Sequence, residues 1–325
     1  MKNLAFTMAE ILLSLTIIGV VAAITLPSLT GNINERTWNT QRKALYARFS
    51  QAIALMPSLN GYGTLTEESS AGASDGVDTA AETFVTAGLS KVLKINNICD
   101  SEHIEDCGFA EQYTDMFGSK KDIPLDLLEL NPNFQCSFTE ITGTPNSVYI
   151  INSKVAAFET ANGESILTYY NPTCLPELGR RGLDDFAQQK ICANFVYDLN
   201  GNKGPNTMGK DMGVMSVFYP SDSIVVAPVI YTNTFTSVNQ QQANQKCREL
   251  DDDARLPSLE EFMAISINYP LLGIGSTESD YHYWTSKISP TDSSEGYVVH
   301  ASLGRVYSWH ARTRAHSAMC IHRYN

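Results

Sequence analysis

The sequence is poor in two features that define common functional classes. None of its seven cysteines forms a Cys-x-x-Cys pair, the spacing typical of zinc ribbons and thioredoxin-like redox sites. Basic residues are also scarce, because 23 lysines and arginines stand against 35 aspartates and glutamates, a net charge of −12. A surface of that sign repels a phosphate backbone, which argues against general nucleic-acid binding.

The length and the apolar content predict a chain of several folded parts. With 325 residues, of which 43% are hydrophobic, about two to three domains are expected. The acidic balance suggests solubility outside the cell. In that environment disulfides are the default state of the cysteines.

An apolar run occupies residues 11–26, interrupted only by Ser14, Thr16 and Thr25, and Glu10 stands directly before it. A helix from residue 6 to residue 26 would be roughly 31 Å long, enough to span a bilayer. A cleaved secretory signal is the alternative interpretation. Glu10 speaks against it, because ionisable groups in apolar segments are costly and usually functional.

The helical pattern continues beyond this run. Apolar residues recur at helical intervals while polar residues fill the other faces. These positions are Leu29, Ile33, Trp38, Leu45, Phe49, Ile53 and Met56. The pattern predicts one assembly helix over residues 6–57 that passes through the region where a secretory signal would be cleaved.

The first 55 residues resemble the class III signal of type IV pilins and type II secretion pseudopilins. The resemblance rests on the segment A-FTMAEILLSLTIIGVVAAITLPSL, which has a short basic leader, a small residue, Phe, and Glu five residues into the mature chain. It implies a leader of residues 1–5, cleavage after Ala5 by prepilin peptidase, N-methylation of Phe6, and pairing of Glu10 with the amine of a neighbouring subunit. Ala5 departs from the commoner glycine. Pro27 is expected to kink the helix or to end its membrane span.

The resemblance also implies partners and locations. Other pilin subunits would contact the N-terminal helix, and the unassembled chain would cross the inner membrane once. After assembly it would lie in an extracellular filament at the cell surface, or in a periplasmic pseudopilus.

The resemblance to pilins implies that residues 58–230 form a pilin-like globular domain. Residues 61–84 have the composition of an exposed loop, and residues 84–93 suggest a short helix. Strand-like runs follow within residues 147–160, 164–170, 193–199 and 213–220. By analogy with the pilin fold, the expected fold class is α+β, with a long N-terminal helix packed on an antiparallel sheet.

The segment DLNGNKGPNTMGKD carries oxygen ligands suited to calcium. These are the side chains of Asp198, Asn200, Asn202, Asn206 and Asp211. The loop is not an EF-hand, because Lys203 and Gly209 stand where that motif requires Gly and Glu. Similar loops occur in pilin-like proteins, and calcium stabilises a comparable region in some pseudopilins. The alternative is a tight turn whose Asn and Asp side chains bond their own backbone.

Residues 231–325 form a third predicted part. Helices are expected at residues 239–250 and after Pro257 and Ser258, followed by four alternating strands. The order ARLPS, YWTS, GYVV, GRVYSW and MCIHR resembles the C-type-lectin-like fold, in its adhesin-type and sulfatase-modifying-factor-like branch. That resemblance implies a disulfide between Cys247 and Cys320. The calcium-dependent sugar motifs of lectins are missing from the sequence, so sugar binding is not implied.

The sequence leaves the disulfide connectivity of the remaining cysteines open. A disulfide between Cys99 and Cys107 would close a short acidic loop. Cys174 with Cys192 is the favoured pairing, which leaves Cys136 free.

The last 25 residues are locally basic and interleaved with aromatic residues. Arg305, Trp309, Arg312 and Arg314 are candidates for contact with an anionic glycan or a host surface ligand, or with DNA. The alternative is that these arginines pair with the acidic residues 249–253. His310 and His316 lie on one face of a regular strand, roughly 20 Å apart, so no metal site is expected there.

Three functions follow from these observations. The first is a minor type IV pilin at the filament tip, acting in assembly and adhesion, and the second is a minor pseudopilin of a type II secretion system. The third is a secreted lectin-fold enzyme of the formylglycine-generating type, which would need a reactive cysteine pair. No catalytic residues are predicted, so the chain is not expected to be an enzyme, and calcium is the one cofactor considered.

Overall fold

Antiparallel sheets and short helices make up the chain, an α+β fold. The computed structural model describes residues 15–17, 37–56, 79–131, 135–138, 147–150, 153–170, 191–218, 223–226, 230–274, 282–301 and 305–322. Two compact units are present, residues 1–44 and residues 45–325. In the first unit residues 15–17 and 37–44 are helical. The second unit contains every sheet described below.

Most of the α-helices in the described part of the chain are short. The α-helices are α1 (37–56), α2 (Ala80–Thr83), α3 (Leu127–Leu130), α4 (Gln240–Leu250), α5 (Leu259–Ile267) and α6 (Tyr269–Leu272). A π-helical turn at Phe84–Gly88 and 3-10 turns at Leu89–Lys91, Ile104–Cys107 and Gly201–Lys203 complete the set.

The first sheet has six antiparallel strands. In their order across the sheet they are β1 (Ile95–Cys99), β6 (Ala156–Thr160), β7 (Ser165–Tyr170), β8 (Ile191–Asp198), β9 (Met212–Phe218) and β10 (Ser223–Val226). Two hairpins accompany it, β2 (Gln112–Thr114) with β3 (Lys120–Asp122), and β4 (Gln135–Phe138) with β5 (Ser147–Ile150).

Helix α1 packs on this first sheet from Leu45 onward. Leu45, Phe49 and Ile53 are fully buried, as their helical spacing predicts. The ring of Phe49 lies 5.2 Å from that of Phe195 and 6.3 Å from that of Phe158. Arg48, the residue before Phe49, forms an ion pair with the buried carboxylate of Glu164. The helix is therefore fixed by an apolar face and by one charge pair beside it.

The second sheet contains β11 (Ile230–Val238), β12 (Ala254–Arg255), β13 (His282–Ile288), β14 (Glu295–His300), β15 (Arg305–Ala311) and β16 (His316–His322). Five strands follow the order β11-β16-β13-β14-β15, and β12 pairs with β16. The pairing of β13 with β16 is parallel and the other pairings are antiparallel. The indole nitrogen of the buried Trp284 donates to the carbonyl of Val238 at 2.9 Å.

The helix starts predicted in residues 231–325 are confirmed. Asn239 and Ser258 each accept a hydrogen bond from the third helical residue, whose side chain bonds back to the capping residue. Such reciprocal capping boxes satisfy backbone donors that a helix end leaves without partners. The four strands expected after the second helix are confirmed as β13 to β16.

One hydrophobic core extends across both sheets. It contains Leu167, Val196 and Val214 from the first sheet together with Phe262 and Leu271 from α5 and α6. Within it, the buried amides of Asn194 and Asn268 exchange hydrogen bonds of 2.8 and 3.0 Å. The division at residue 230 stays a prediction, and the residues on either side of it share this core.

Two of the expected disulfides are present. Cys99–Cys107 closes the turn after β1, and Cys247–Cys320 joins α4 to β16. Cys174 and the side chains of Cys136 and Cys192 lie outside what the structure describes.

The predicted processing and assembly residues also lie outside the described residues. These are Ala5, Phe6, Glu10 and Pro27. Within the described part of the chain, no helix has the length and apolar character needed to cross a membrane.

Candidate cation site

The loop of residues 198–211 connects β8 to β9 and is closed by backbone bonds. The N–H of Leu199 donates to the carbonyl of Asp211 at 3.0 Å, which brings the two ends of the loop together. Gly201 has a φ of 64°, in the left-handed region that glycine adopts without strain. Asn206 also has a positive φ, of 50°, which asparagine tolerates better than most residues. The sequence therefore supplies the residues that this tight path requires.

The β2–β3 hairpin holds the loop from outside. The N–H of Thr114 donates to the carbonyl of Asn206 at 2.8 Å, and the N–H of Met208 donates to the carbonyl of Thr114 at 2.9 Å. This pairing fixes the backbone of the loop beside Asn206. The hairpin thus holds the backbone on both sides of Thr207.

The two carboxylates organise the interior of the loop. Asp211 accepts from the N–H groups of Asn206 and Thr207, each at 2.9 Å. Asp198 accepts from the N–H of Asn200 at 3.1 Å. The amide nitrogen of Asn200 in turn donates to the carbonyl of Gly204 at 2.7 Å, which orients the amide oxygen away from that carbonyl.

Three oxygens of this loop are buried without a hydrogen-bond partner. They are Oδ2 of Asp198, Oδ1 of Asn200 and Oδ1 of Asn206. Within the described residues they make up half of the six buried side-chain atoms of this kind. A buried acceptor left without a partner costs about 1–3 kcal/mol, so three in one loop make that loop a candidate site for a cation.

The two buried carboxylates of the loop also favour a bound cation. Asp198 and Asp211 are both completely buried. Burial raises the pKa of Asp198 to about 7, opposed by the N–H of Asn200, and the charge of Asp211 raises it further. Two like charges in one buried loop repel each other, and a bound cation would offset both terms.

The donor set fits calcium. Calcium prefers carboxylate and amide oxygens, and Asp198, Asn200, Asn206 and Asp211 present these inside one loop. Asn202, the fifth predicted ligand, is exposed on the 3-10 turn. No group of three or more His, Cys, Asp or Glu side chains in the described chain is arranged to hold a metal. The loop has two carboxylates, and its other donors are amides.

Of the four predicted ligand-binding residues, the structure describes the side chains of Arg312 and Arg314. The guanidinium of Arg312 donates to Oε1 of Gln240 at 2.7 Å and to the carbonyl of Ser293 at 3.0 Å. Arg314 is exposed in the turn between β15 and β16. The side chains of Arg305 and Trp309 lie outside what the structure describes. Arg312 therefore has a structural role, and Arg314 is available to a ligand.

A matched pair of substitutions separates these roles. Arg312→Ala should lower the unfolding free energy by about 1–3 kcal/mol, because a charged donor and its partner Gln240 lose their bonds. Arg314→Ala should change it by less than about 0.5 kcal/mol. Urea unfolding of both variants measures the difference. Equal losses would contradict the structural role of Arg312.

The expected separation of His310 and His316 is wrong. Their facing nitrogens, Nδ1 and Nε2, lie 2.8 Å apart. The two residues do not share one regular strand, because β15 ends at Ala311 and a turn precedes β16, which starts at His316. The ring of His282 lies beside both rings of this pair, and the ring of His300 lies beside that of His282. These four residues are called the histidine cluster below. The signal available in the sequence was the concentration of five of the six histidines beyond residue 231.

Comparison with known proteins gives no family assignment. No protein-family model matches the chain, and no curated protein matches its sequence. The pilin-like and lectin-like resemblances therefore stay predictions.

Proposed function

We propose that this chain is a minor type IV pilin, a filament subunit that acts in pilus assembly and in adhesion at the filament tip. The observation that carries the proposal is the N-terminal pattern, an apolar run with one carboxylate at its start that leads into an amphipathic helix. The carboxylate has no use in a cleaved signal. In a filament it would neutralise the terminal amine of the next subunit and set the axial register.

The described part of that helix supports the proposal. From Leu45 to Met56 helix α1 lays an apolar face on an antiparallel sheet, with Phe49 between Phe158 and Phe195. A subunit held in a filament by its N-terminal helix needs the globular part attached firmly to that helix. The buried aromatic contacts and the Arg48–Glu164 pair supply such an attachment.

Residues 231–325 would provide the recognition module in this proposal. Two capped helices and a five-stranded sheet joined by Cys247–Cys320 are compatible with the C-type-lectin-like resemblance. A tip position tolerates this added bulk, whereas the shaft of a filament would be crowded by it. The exposed Arg314 is the candidate contact with an anionic glycan or host surface ligand.

Calcium would have a structural role in this subunit. Asp198, Asn200, Asn206 and Asp211 would hold the ion, and its charge would compensate the two buried carboxylates. Because calcium stabilises a comparable region in some pseudopilins, this loop also favours the second candidate, a minor pseudopilin of a type II secretion system. Both candidates predict the same processing at the N-terminus.

The first experiment is mass spectrometry of the mature N-terminus in protein sheared from the cell surface. A chain starting at a methylated Phe6 supports the pilin proposal. A chain starting near Ala22 or Ala23 would show a secreted protein and remove the filament argument. A methylated chain found only in the periplasm would favour the pseudopilin.

Substitution of Glu10 tests assembly directly. Glu10→Ala should leave the processed chain stable in the membrane and reduce its recovery in sheared filaments several-fold, because the subunit amine loses its partner. Glu10→Asp is the matched control, since it keeps the charge one methylene shorter. Immunoblots of membrane and sheared fractions measure the ratio, and an unchanged ratio in Glu10→Ala would refute the register argument.

A further inference from the structure

The β2–β3 hairpin contacts two elements that are distant from it in the sequence. One is the loop of residues 198–211, called the cation loop below, and the other is the short helix α6. The cation loop belongs to the first sheet, because it connects β8 to β9, whereas α6 precedes the strands β13 to β16 of the second sheet. The hairpin is therefore a physical link between the two parts of the fold.

The contact with the cation loop is made by Thr114, the last residue of β2. Its N–H donates to the carbonyl of Asn206 at 2.8 Å, and its carbonyl accepts from the N–H of Met208 at 2.9 Å. These two bonds flank Thr207, whose N–H donates to the carboxylate of Asp211 at 2.9 Å. The same short stretch thus bonds to the hairpin and to a carboxylate of the candidate calcium site.

The contact with α6 begins at the next residue, Asp115, whose carboxylate is buried. Its Oδ1 accepts from the N–H groups of Phe117 and Ser119, each at 2.9 Å. Its Oδ2 lies 3.2 Å from the ammonium nitrogen of Lys121, which also donates to the carbonyl of Pro270 at 2.9 Å. One ammonium group therefore joins the buried carboxylate of the hairpin to the helix.

The turn of the hairpin also lies close to the end of α6. The N–H of Met116 donates to the carbonyl of Leu272 at 3.4 Å. Gly273 follows the helix with a φ of 80°, and a Cβ atom at that position would lie 2.3 Å from Oδ2 of Asp115. Only glycine permits an approach this close. The contact is thus specified by a residue on each side of it.

The two contacts of the hairpin are not independent of each other. Thr114 holds the cation loop and Asp115 holds α6, and these residues are adjacent in the chain. Tyr113, Met208 and Leu272 are buried in the same hydrophobic core. A displacement of the hairpin away from α6 consequently moves the residue that bonds to the cation loop.

We propose that the β2–β3 hairpin couples the cation loop to α6, so that calcium bound in the loop also stabilises the contact between the hairpin and residues 269–273. The proposal rests on the calcium site of the proposed function. A ligand that binds only the closed loop suppresses every local opening that disrupts the loop, about a hundredfold at one hundred times its dissociation constant. Openings that pull Thr114 away from the loop belong to this class.

The coupling gives calcium a role beyond the loop itself. Helix α6 lies in residues 231–325, the recognition module of the proposed pilin. Calcium would therefore control how firmly this module is attached to the first sheet. Because coupling between two sites is reciprocal, the intact contact with α6 would also favour calcium binding.

Hydrogen exchange of the full chain tests the proposal at neutral pH. The chain is compared in a chelator and in calcium at one hundred times the dissociation constant, which isothermal titration calorimetry provides. The opening constants of residues 112–122, 206–208 and 268–274 should all fall at least about tenfold. The exposed turn at residues 290–294 should keep its exchange rate. Protection of residues 206–208 without any change at residues 268–274 would overturn the proposal.

A matched pair of lysine substitutions decides whether the hairpin carries the effect. Lys121→Met removes the ammonium between Asp115 and Pro270 and keeps an unbranched side chain. This variant should keep the calcium-dependent protection of residues 206–208 and lose most of that of residues 268–274. Lys120→Met changes the net charge equally at the neighbouring exposed position of β3, and it should keep both effects. A full calcium response of residues 268–274 in Lys121→Met would contradict the coupling.

Calorimetry of the wild-type chain separates this inference from the calcium site on which it rests. A chain that binds no calcium would refute both the calcium site and the coupling. A chain that binds calcium and gains protection at residues 206–208 alone would refute only the coupling. Both results come from the wild-type chain, so the proposal can be overturned even if Lys121→Met does not fold.

Discussion

Calcium is expected to raise the unfolding free energy of this protein, and more strongly at pH 8 than at pH 5.5. At a free concentration one hundred times its dissociation constant, a ligand that binds only the folded state adds about 2.7 kcal/mol. The pH dependence follows from Asp198, whose pKa burial raises to about 7. Below that pH a proton occupies the carboxylate, and calcium must displace it.

Without calcium the dependence on pH has the opposite sign. The folded pKa of Asp198 is about 7 and its ordinary value is 3.8, so the folded state holds a proton that the unfolded state releases. The stabilisation is complete below pH 3.8 and is lost as the pH rises through 7. The loss amounts to about 4 kcal/mol at most. Urea unfolding between pH 5.5 and pH 8, with calcium and with a chelator, measures both effects.

Asp198→Asn separates the ligand from the buried charge. The variant keeps the acceptor for the N–H of Asn200 and removes the charge, so its metal-free form should exceed the wild type in stability at pH 8. It should also lose most of the calcium response. Asn202→Ala is the matched control in the same loop, because that side chain is exposed and should matter little. A full calcium response in Asp198→Asn would exclude this loop as the binding site.

Elements with strong local signals could be predicted from the sequence. The alternation in residues 282–322 and the capping residues Asn239 and Ser258 specify their strands and helices without reference to the rest of the chain. Strands β1 and β10 were not predicted. β1 contains two asparagines in five residues, and its pairing with β6 supplies what local propensity does not.

The cation loop could be predicted from the sequence, whereas the histidine cluster could not. The four oxygen ligands of the loop lie within fourteen consecutive residues, so their spacing in the sequence alone predicts a cation site. The histidines come from four strands, and their meeting depends on the end of β15 at Ala311 and on the strand order of the sheet. One regular strand through both His310 and His316 would hold them far apart, and the turn after Ala311 removes that separation. The core shared by the two sheets also depends on contacts between residues that are distant in the sequence. No local sequence pattern indicates which apolar faces meet.

Removal of residues 231–325 is expected to leave no stably folded globular part. Phe262, Ile267 and Leu271 lie fully buried in the core that they share with Leu167 and Val196 of the first sheet. Loss of one such side chain costs about 2–5 kcal/mol, and a whole domain is stable by about 5–15 kcal/mol. The truncated chain should still be processed after Ala5 in the proposed pathway, and then be degraded. Pulse-chase labelling measures its half-life against that of the full chain.

A matched pair of phenylalanine substitutions tests the same core in the full-length chain. Phe262→Ala should lower the unfolding free energy by about 3–5 kcal/mol, because the ring is completely buried. Phe117→Ala, at a position 45% exposed on the β2–β3 hairpin, should lower it by about 0.5 kcal/mol or less. Hydrogen exchange of β7 and β8 then decides whether the first sheet depends on the second. If those strands keep their protection in Phe262→Ala while α5 loses it, the two sheets are independent and deletion becomes a usable test of adhesion. If both lose protection together, a role for residues 231–325 in attachment has to be tested with surface variants such as Arg314→Ala, because any larger change would remove the subunit itself.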